Sequence, residues 1–385
     1  MSEGNRASRS YDVAVVGAGI IGLSVALHLL EAGEQSVCVV ERTGVAAGAS
    51  GVQPGGVRQQ WSSRVNCLLA QESVHFYLDI ANRLDNRVQP VLEQCGYIFL
   101  AHSEDRLSRL AADVALQNEF GVPSEIVDPD QAAERVPDLQ IETVVGAAWC
   151  QEDGYFDRPQ AVVAGFAEAA ERHGAVLHQA EVERVEPDGQ SWQLSLAGGD
   201  RLGAGRVVLA TGYDSPALLE PLGIEVPIGK ELRSLFLSEP IRDRLLDPMV
   251  ASGERSFAAK QLADGRVLAS DTTVDATEQR DHDARRLAVR TNIEELLPRL
   301  QYVSFPIVAD GFYDVTPDHQ PIITEVQPSL WVAAGFSGHG FMLAPAIGRR
   351  VAGLLQDRPV DDLLDAFSLE RFSRPITIDE TEWVV

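Results

Sequence analysis

Cysteine is scarce in this chain and carries no pattern. Cys38, Cys67, Cys95 and Cys150 are scattered with no Cys-x-x-Cys spacing, which argues against a disulfide framework and a zinc site. Cys38 falls inside an apolar run and is expected in the core. No apolar run approaches the ~20 residues of a membrane helix, and residues 1–10 are polar, so neither a spanning segment nor a signal peptide is expected. A reducing cytoplasm is the expected setting. Positive charge is short: 32 Lys and Arg against 57 Asp and Glu give a formal charge of −25. Such a surface disfavours nucleic acid and anionic membranes as partners. A small anionic substrate then needs a local basic exception inside its pocket. Internal repeats, low-complexity tracts and an evident catalytic triad are also missing. What is present is 385 residues at 45% hydrophobic, enough for a large core and two domains.

Two glycine motifs stand near the two ends. Residues 12–22 read DVAVVGAGIIG. The stretch 12–16 has the pattern of a short buried strand. Leu23, Ala26, Leu27 and Leu30 then recur at i, i+3, i+4 and i+7, one face of a helix, and Gly33 is a stop signal. A second apolar run, 37–40, ends at Glu41. Strand, glycine turn, helix, strand and acid follow in the order of a dinucleotide site. Gly17 permits the tight turn, Gly19 lets the backbone approach a pyrophosphate beside Ile20 and Ile21, and Gly22 lets the helix lie against the sheet. The helix N-terminus offers free N–H groups to phosphates, and Glu41 suits the ribose hydroxyls of either FAD or NAD. Arg42 fits a 2′-phosphate or a solvated charge. A glycine-tight turn with no ligand is the competing reading.

Residues 47–58, AGASGVQPGGVR, hold too many small residues to build core. They suit a backbone that passes close to a planar ligand; otherwise they form a surface loop. Residues 65–84 read as a helix, 96–100 as a strand, and 153–159 as a turn before a helix whose Val162, Phe166, Ala169 and Ala170 share a face. Strands are expected at 176–185, 192–196 and 206–210, the last ending at Ala210, Thr211 and Gly212, another strand-to-glycine edge. Residues 231–305 change character, with strands at 232–238 and 267–270 around a helical stretch at 281–300. Strands at 309–312, 321–324 and 330–334 are expected to return to the first domain. The second motif, GFSGHGF over 335–341, follows. A closing helix is marked by Ile347, Val351, Leu354 and Leu355, with Pro345 near its first turn.

With these residues in view, the chain resembles the D-amino acid oxidase superfamily, most of all its glycine oxidase and sarcosine oxidase branch. The likeness covers nearly the whole chain. It rests on Gly17, Gly19, Gly22, Glu41, the 48–58 loop, Asp153-Gly154, Ala210–Gly212, Thr316-Pro317-Asp318 with Pro321 to Ile323, and the 335–341 run. The resemblance implies an α/β (α+β) protein of the D-amino acid oxidase and glutathione reductase type. A Rossmann-like FAD domain of residues 11–85, 151–230 and 308–372 would stand beside a substrate domain of 86–150 and 231–307, with an eight-stranded mixed, largely antiparallel sheet. It implies that Ala49, Ser50, Gly51, Gln53, Gly55, Gly56 and Val57 run past the flavin ring. Val182 would hold the adenine through its backbone. Gly338, His339, Gly340, Phe341 and Met342 would meet the pyrimidine edge at a helix N-terminus, where positive potential favours a reduced flavin anion.

Departures from the family pattern shape the functional expectation. Gly311 stands where monomeric sarcosine oxidases carry the cysteine that binds flavin, so FAD is expected to be non-covalent. Tyr313 replaces the substrate-binding arginine of glycine oxidase, as in the sarcosine enzymes. Met342 stands in place of a carboxylate-binding lysine, Trp61 in place of a second such arginine, and Val267 in place of an oxygen-activating lysine. The implied reaction takes a hydride from the carbon bearing an amine to flavin N5 and leaves an imine that water hydrolyses, with O2 reduced to H2O2. Orientation, a dry pocket and electrostatics are the protein's share. Arg58 and Tyr313 are the candidates for the substrate carboxylate, with Lys260 a further option for carboxylate or oxygen; structural pairing is the alternative for each. His339 reads as a flavin-side structural residue rather than a base. Apolar bulk at Met342, Trp61 and Phe312 points to an N-substituted glycine or another bulky, partly apolar amino acid. An FAD dehydrogenase of the same fold acting on an amino or 2-hydroxy acid, with a quinone or protein acceptor, is the main alternative. A flavoprotein whose FAD is structural comes next, and a nicotinamide enzyme leaves the second motif without a role. No metal is expected, and a homo-oligomer is left open.

Overall fold

The structure is a computed structural model that describes residues 9–85, 89–273 and 281–373. The expected boundary at residue 86 lies outside the described residues. Two eight-stranded sheets dominate, with a three-stranded ribbon (Gly56–Val57, Gly154–Phe156, Leu92–Glu93) where the chain crosses between them.

The first sheet has a parallel centre. Arg9–Val16 lies between Arg201–Leu209 and Val37–Glu41, Val176–Gln179 extends one side, and Leu330–Ala334 runs parallel to Arg201–Leu209 on the other. Its inner strands are apolar on both faces because both are covered. Val13, Val15, Val37 and Val39 pack towards the helices Ile20–Glu31, Pro159–Arg172 and Gly340–Leu355. Ala14, Val16, Cys38 and Val40 pack towards an antiparallel ribbon, Val182–Asp188 with Ser191–Leu196. Cys38 is therefore core, as its apolar run implies.

Pro345 sits inside the helix Gly340–Leu355 rather than in its first turn. It has no N–H to give to the carbonyl of Phe341 four residues back. Tyr77, on the helix Arg64–Leu78, donates its hydroxyl to that carbonyl at 2.5 Å. The expected single helix over 65–84 breaks at Asp79, which ends Arg64–Leu78 and begins Ile80–Leu84. The expected strand over 176–185 is two strands. Val176–Gln179 pairs with Val37–Glu41, and the chain then turns at Ala180 and Glu181 into the antiparallel ribbon.

The second sheet runs in the order Ile307–Val315, Gly229–Leu237, Val267–Asp271, Phe257–Gln261, Met249–Ser252, Tyr97–Ala101, Gly146–Cys150 and Glu125–Val127. Neighbours are antiparallel except Met249–Ser252 against Tyr97–Ala101. The eight-stranded mixed sheet implied by the family resemblance is present. One placement differs: residues 309–312 do not return to the first domain. They belong to the edge strand Ile307–Val315, which pairs with Gly229–Leu237 over its whole length. Met249–Ser252 and Phe257–Gln261 escape a sequence reading because both are buried throughout and show no alternation.

Candidate flavin and substrate site

A cavity of about 700 Å³ opens between the two sheets at the carboxyl ends of the parallel strands, the usual ligand position in open α/β sheets. Its walls include Gly17, Gly19, Ile20, Ile21, Glu41 and Arg42 from the first motif region. Ala49, Ser50 and Gln53 come from the small-residue loop, and Val182, Ala210, Thr211 and Gly212 from strand ends. Gly338, Gly340 and Phe341 come from the second motif.

The first motif fits a dinucleotide. Gly17 adopts φ +106°, and a Cβ there would stand 2.5 Å from the Ala210 carbonyl oxygen; no other residue fits that turn. Gly19 caps the helix with no side-chain acceptor. Ser50 reaches across to accept the Ile20 N–H at 3.0 Å, which ties the small-residue loop to the helix start. Glu41 accepts from the Ala18 N–H at 2.9 Å on one oxygen, and from the Thr43 N–H at 2.8 Å and the Gly44 N–H at 3.4 Å on the other. A carboxylate has about four lone-pair sites, so capacity for ribose hydroxyls is left. Arg42 is tied to Asp214 at 2.6 Å and approaches Glu181 at 3.7 Å. It is a paired charge at the mouth rather than a receptor waiting for a 2′-phosphate.

The other sequence candidates lie behind the wall. Gly22 packs the helix on its own turn, where a Cβ would meet the Gly17 carbonyl. Gly51, Gly55, Gly56 and Val57 do not line the cavity; they carry the loop onto the second sheet, with Val57 in the core. His339 is buried with its ring edge-on to Trp61 at 4.8 Å, which fits a structural residue. Met342 is 3% exposed and packs in the first domain's core, and it is not among the residues that line the cavity. Trp61 is likewise buried, beneath Arg58. Val267 is core as well.

Strand register assembles a floor that no local pattern reveals. Tyr97 pairs with Met249, Ala251 with Ala258, and Lys260 with Leu268; Leu268 pairs with Leu237, Arg233 with Gly311, and Glu231 with Tyr313. Paired residues, and residues two apart, share a face. One sheet face therefore carries Tyr97, Met249, Lys260, Arg233 and Tyr313. The small-residue loop lies on this face. A Cβ at Gly311 would stand 3.1 Å from Val52, and one at Gly56 would stand 3.7 Å from the Tyr97 ring.

Tyr313 lines the cavity, and its ring presses on Gly338, where a Cβ would lie 2.4 Å away. Burial raises its hydroxyl above the usual phenol range. Beside it, Arg233 holds its guanidinium 5.4 Å from the ring and pairs with Glu231 at 2.6 Å. Asp314 also lines the cavity and accepts the Gly335 N–H at 2.7 Å, which fixes the start of the second motif. Sequence reasoning passed over Arg233 and Asp314. Asp314 lies two residues before Thr316-Pro317-Asp318, the one local signal for it, whereas Arg233 has none.

Arg58 is fully buried. Its guanidinium lies 4.2 Å from the Trp61 ring and 5.3 Å from that of Phe99, and bonds the Gln60 carbonyl. Asp153 stands close by and accepts from Gln59 N–H at 2.7 Å and Gln60 Nε2 at 3.0 Å. Burial pushes the Asp153 carboxyl up to about 6, against the pull of Gln60, Gln59 and Arg58. Lys260 is fully buried too, and its amine donates to the Pro54 carbonyl of the loop and lies 3.8 Å from the Tyr155 ring centre. Burial lowers it to about 7. Among the described residues no cluster of His, Cys, Asp or Glu is arranged for a metal, and no helix is long and apolar enough to cross a membrane.

Known proteins share this fold. The chain is 26% identical to L-proline dehydrogenase from P. horikoshii, whose crystal structure it matches with a TM-score of 0.89 over 96% of this chain and all of that one. Glycine oxidase from Geobacillus kaustophilus is 26% identical over 94% of this chain and 97% of its own; its crystal structure matches with a TM-score of 0.84. Sarcosine oxidase subunit beta from Rhizobium meliloti is 25% identical over 96% of this chain and 90% of its own. Residues 12–354 match the family model of the FAD dependent oxidoreductases, and the chain belongs to this DAO family.

Proposed function

We propose that the protein oxidises the C–N bond of an amino acid, with FAD held non-covalently between the two sheets. FAD, when bound, supplies the acceptor for the hydride. The turn at Gly17, Gly19, Ile20 and Ile21 holds the pyrophosphate, Glu41 the adenosine ribose, and the Val182 backbone the adenine. Ala49, Ser50, Gln53, Gly338, Gly340 and Phe341 border the flavin. Gly311, bare of any thiol, supports non-covalent attachment.

The observation that carries the amino-acid reading is the sheet face under the loop. Tyr313 shares this face with Arg233, which is paired with Glu231, and both Tyr313 and the buried Arg58 act electrostatically on Tyr97 of the same face, in a protein with charge −25. A carboxylate is bound best by such donors, and bidentate contact with a guanidinium fixes its orientation. Met249 and Leu268 are the apolar residues of the same face, which supports a secondary or otherwise partly apolar amino acid, such as an N-substituted glycine. No side chain need act as base if the amine arrives neutral. The protein orients the substrate and excludes water.

Oxygen as the acceptor is supported by Lys260, whose buried amine touches the loop at Pro54. A dehydrogenase working through a quinone or protein acceptor is the second reading, supported by the likeness to L-proline dehydrogenase. The test is anaerobic reduction of the bound flavin by amino acids, followed by admission of air. Colour that returns in one mixing step with H2O2 supports the oxidase. Colour that stays bleached until a quinone is added supports the dehydrogenase.

A further inference from the structure

Tyr97 opens the strand Tyr97–Ala101 on the face that carries Lys260 and Tyr313. It is fully buried. Its ring stacks on Phe99 at 4.9 Å and lies under Gly56 of the small-residue loop. Its backbone is fixed, since Gln60 Nε2 donates to the Tyr97 carbonyl at 3.1 Å. Yet the Tyr97 hydroxyl, buried from solvent, has no hydrogen-bond partner among the described residues. Buried hydroxyls are nearly always paired, and phenylalanine would fill this space without that cost.

The surroundings say what the hydroxyl lacks. Arg58, Asp153 and Tyr313 are close enough for their charges to act on it. Burial holds it well above the ordinary phenol range, so it is a donor at every working pH. Gln60 spends both amide hydrogens, on the Tyr97 carbonyl and on Asp153 at 3.0 Å. Its Oε1 is left without a partner among the described residues as well. An orphaned donor beside a buried guanidinium calls for an anionic acceptor that arrives from outside.

We infer that Tyr97 is a substrate-binding residue whose hydroxyl donates to the carboxylate of the amino acid held by Arg58 and Tyr313. The inference rests on the amino-acid reading proposed above. It makes the α-carboxylate a requirement: an amine without one leaves the phenol buried and unmet.

The test uses the FAD-loaded protein and its Tyr97→Phe variant. Pyrrole-2-carboxylate and pyrrole-2-carboxamide are titrated, with visible flavin absorbance as the readout. The variant is expected to bind the carboxylate about tenfold or more weakly, as loss of a charge-assisted hydrogen bond implies, and the amide within about threefold of the parent. Without ligand, the variant is expected to melt no lower than the parent, because a buried unmet hydroxyl has been removed. Equal carboxylate affinity in the two proteins overturns the role of Tyr97 alone, and would mean that ordered water satisfies the hydroxyl. Equal loss for both ligands together with a lower Tm also overturns it, in favour of a packing role. Failure of the parent to bind any carboxylate, amino acids included, overturns the amino-acid reading and the role of Tyr97 with it.

Discussion

Deleting one hydroxyl, at Tyr77, asks what keeps the second motif in place. Pro345 cannot donate to the Phe341 carbonyl, and the Tyr77 hydroxyl does so at 2.5 Å while its ring stacks on Phe341 at 5.6 Å. Tyr77→Phe keeps the ring and strands a buried carbonyl, at a cost of about 1–3 kcal/mol. Phe341 borders the cavity, so FAD affinity should fall as well. Pro345→Ala returns an N–H to the helix. In that background the loss of the hydroxyl should cost below about 1 kcal/mol, because the carbonyl regains an intrahelical donor. Denaturant unfolding of the parent, both single variants and the double variant closes a double-mutant cycle, with FAD titrations in parallel. A coupling of about 1 kcal/mol or more is expected. Strictly additive losses would refute the idea that Tyr77 substitutes for the missing helix hydrogen bond.

Gly338→Ala drives a Cβ to 2.4 Å from the Tyr313 ring at φ +91°. KM for the amino acid should rise about tenfold or more for a strain of about 1–3 kcal/mol, and an unchanged KM would show that Tyr313 has no part in binding. Lys260 gives a pH dependence. Its folded value of about 7 lies below the ordinary 10.5, so between those values the unfolded chain holds a proton that the folded one has released. Stability should therefore rise with pH across that window, by up to about 1.4 kcal/mol per unit. Lys260→Met should flatten the slope, whereas the same slope in parent and variant would assign it to another group.

The first motif was legible because all its parts lie within some thirty residues. Gly17, Gly19, Gly22 and Glu41 depend on a local strand–turn–helix–strand, and short-range spacing specifies it. Arg42 was ambiguous because its partners, Asp214 and Glu181, are distant in sequence. The sheet face was illegible for the same reason. Tyr97 and Tyr313 share it only through the register of six strands, and no window of sequence holds that register. Residues 309–312 join the second sheet, against expectation, because an edge strand reads alike in either domain until its partner is known.

Amino-acid oxidation at this cavity is tested most directly by anaerobic mixing of the purified flavoprotein with a panel of amines. Glycine, sarcosine, proline, D-amino acids and bulky N-alkylglycines belong in it, with 2-hydroxy acids as controls. Bleaching of the visible flavin band by one class of amino acid, with release of the carbonyl product, is the expected result. Bleaching by 2-hydroxy acids alone, or by nothing in the panel, would contradict it.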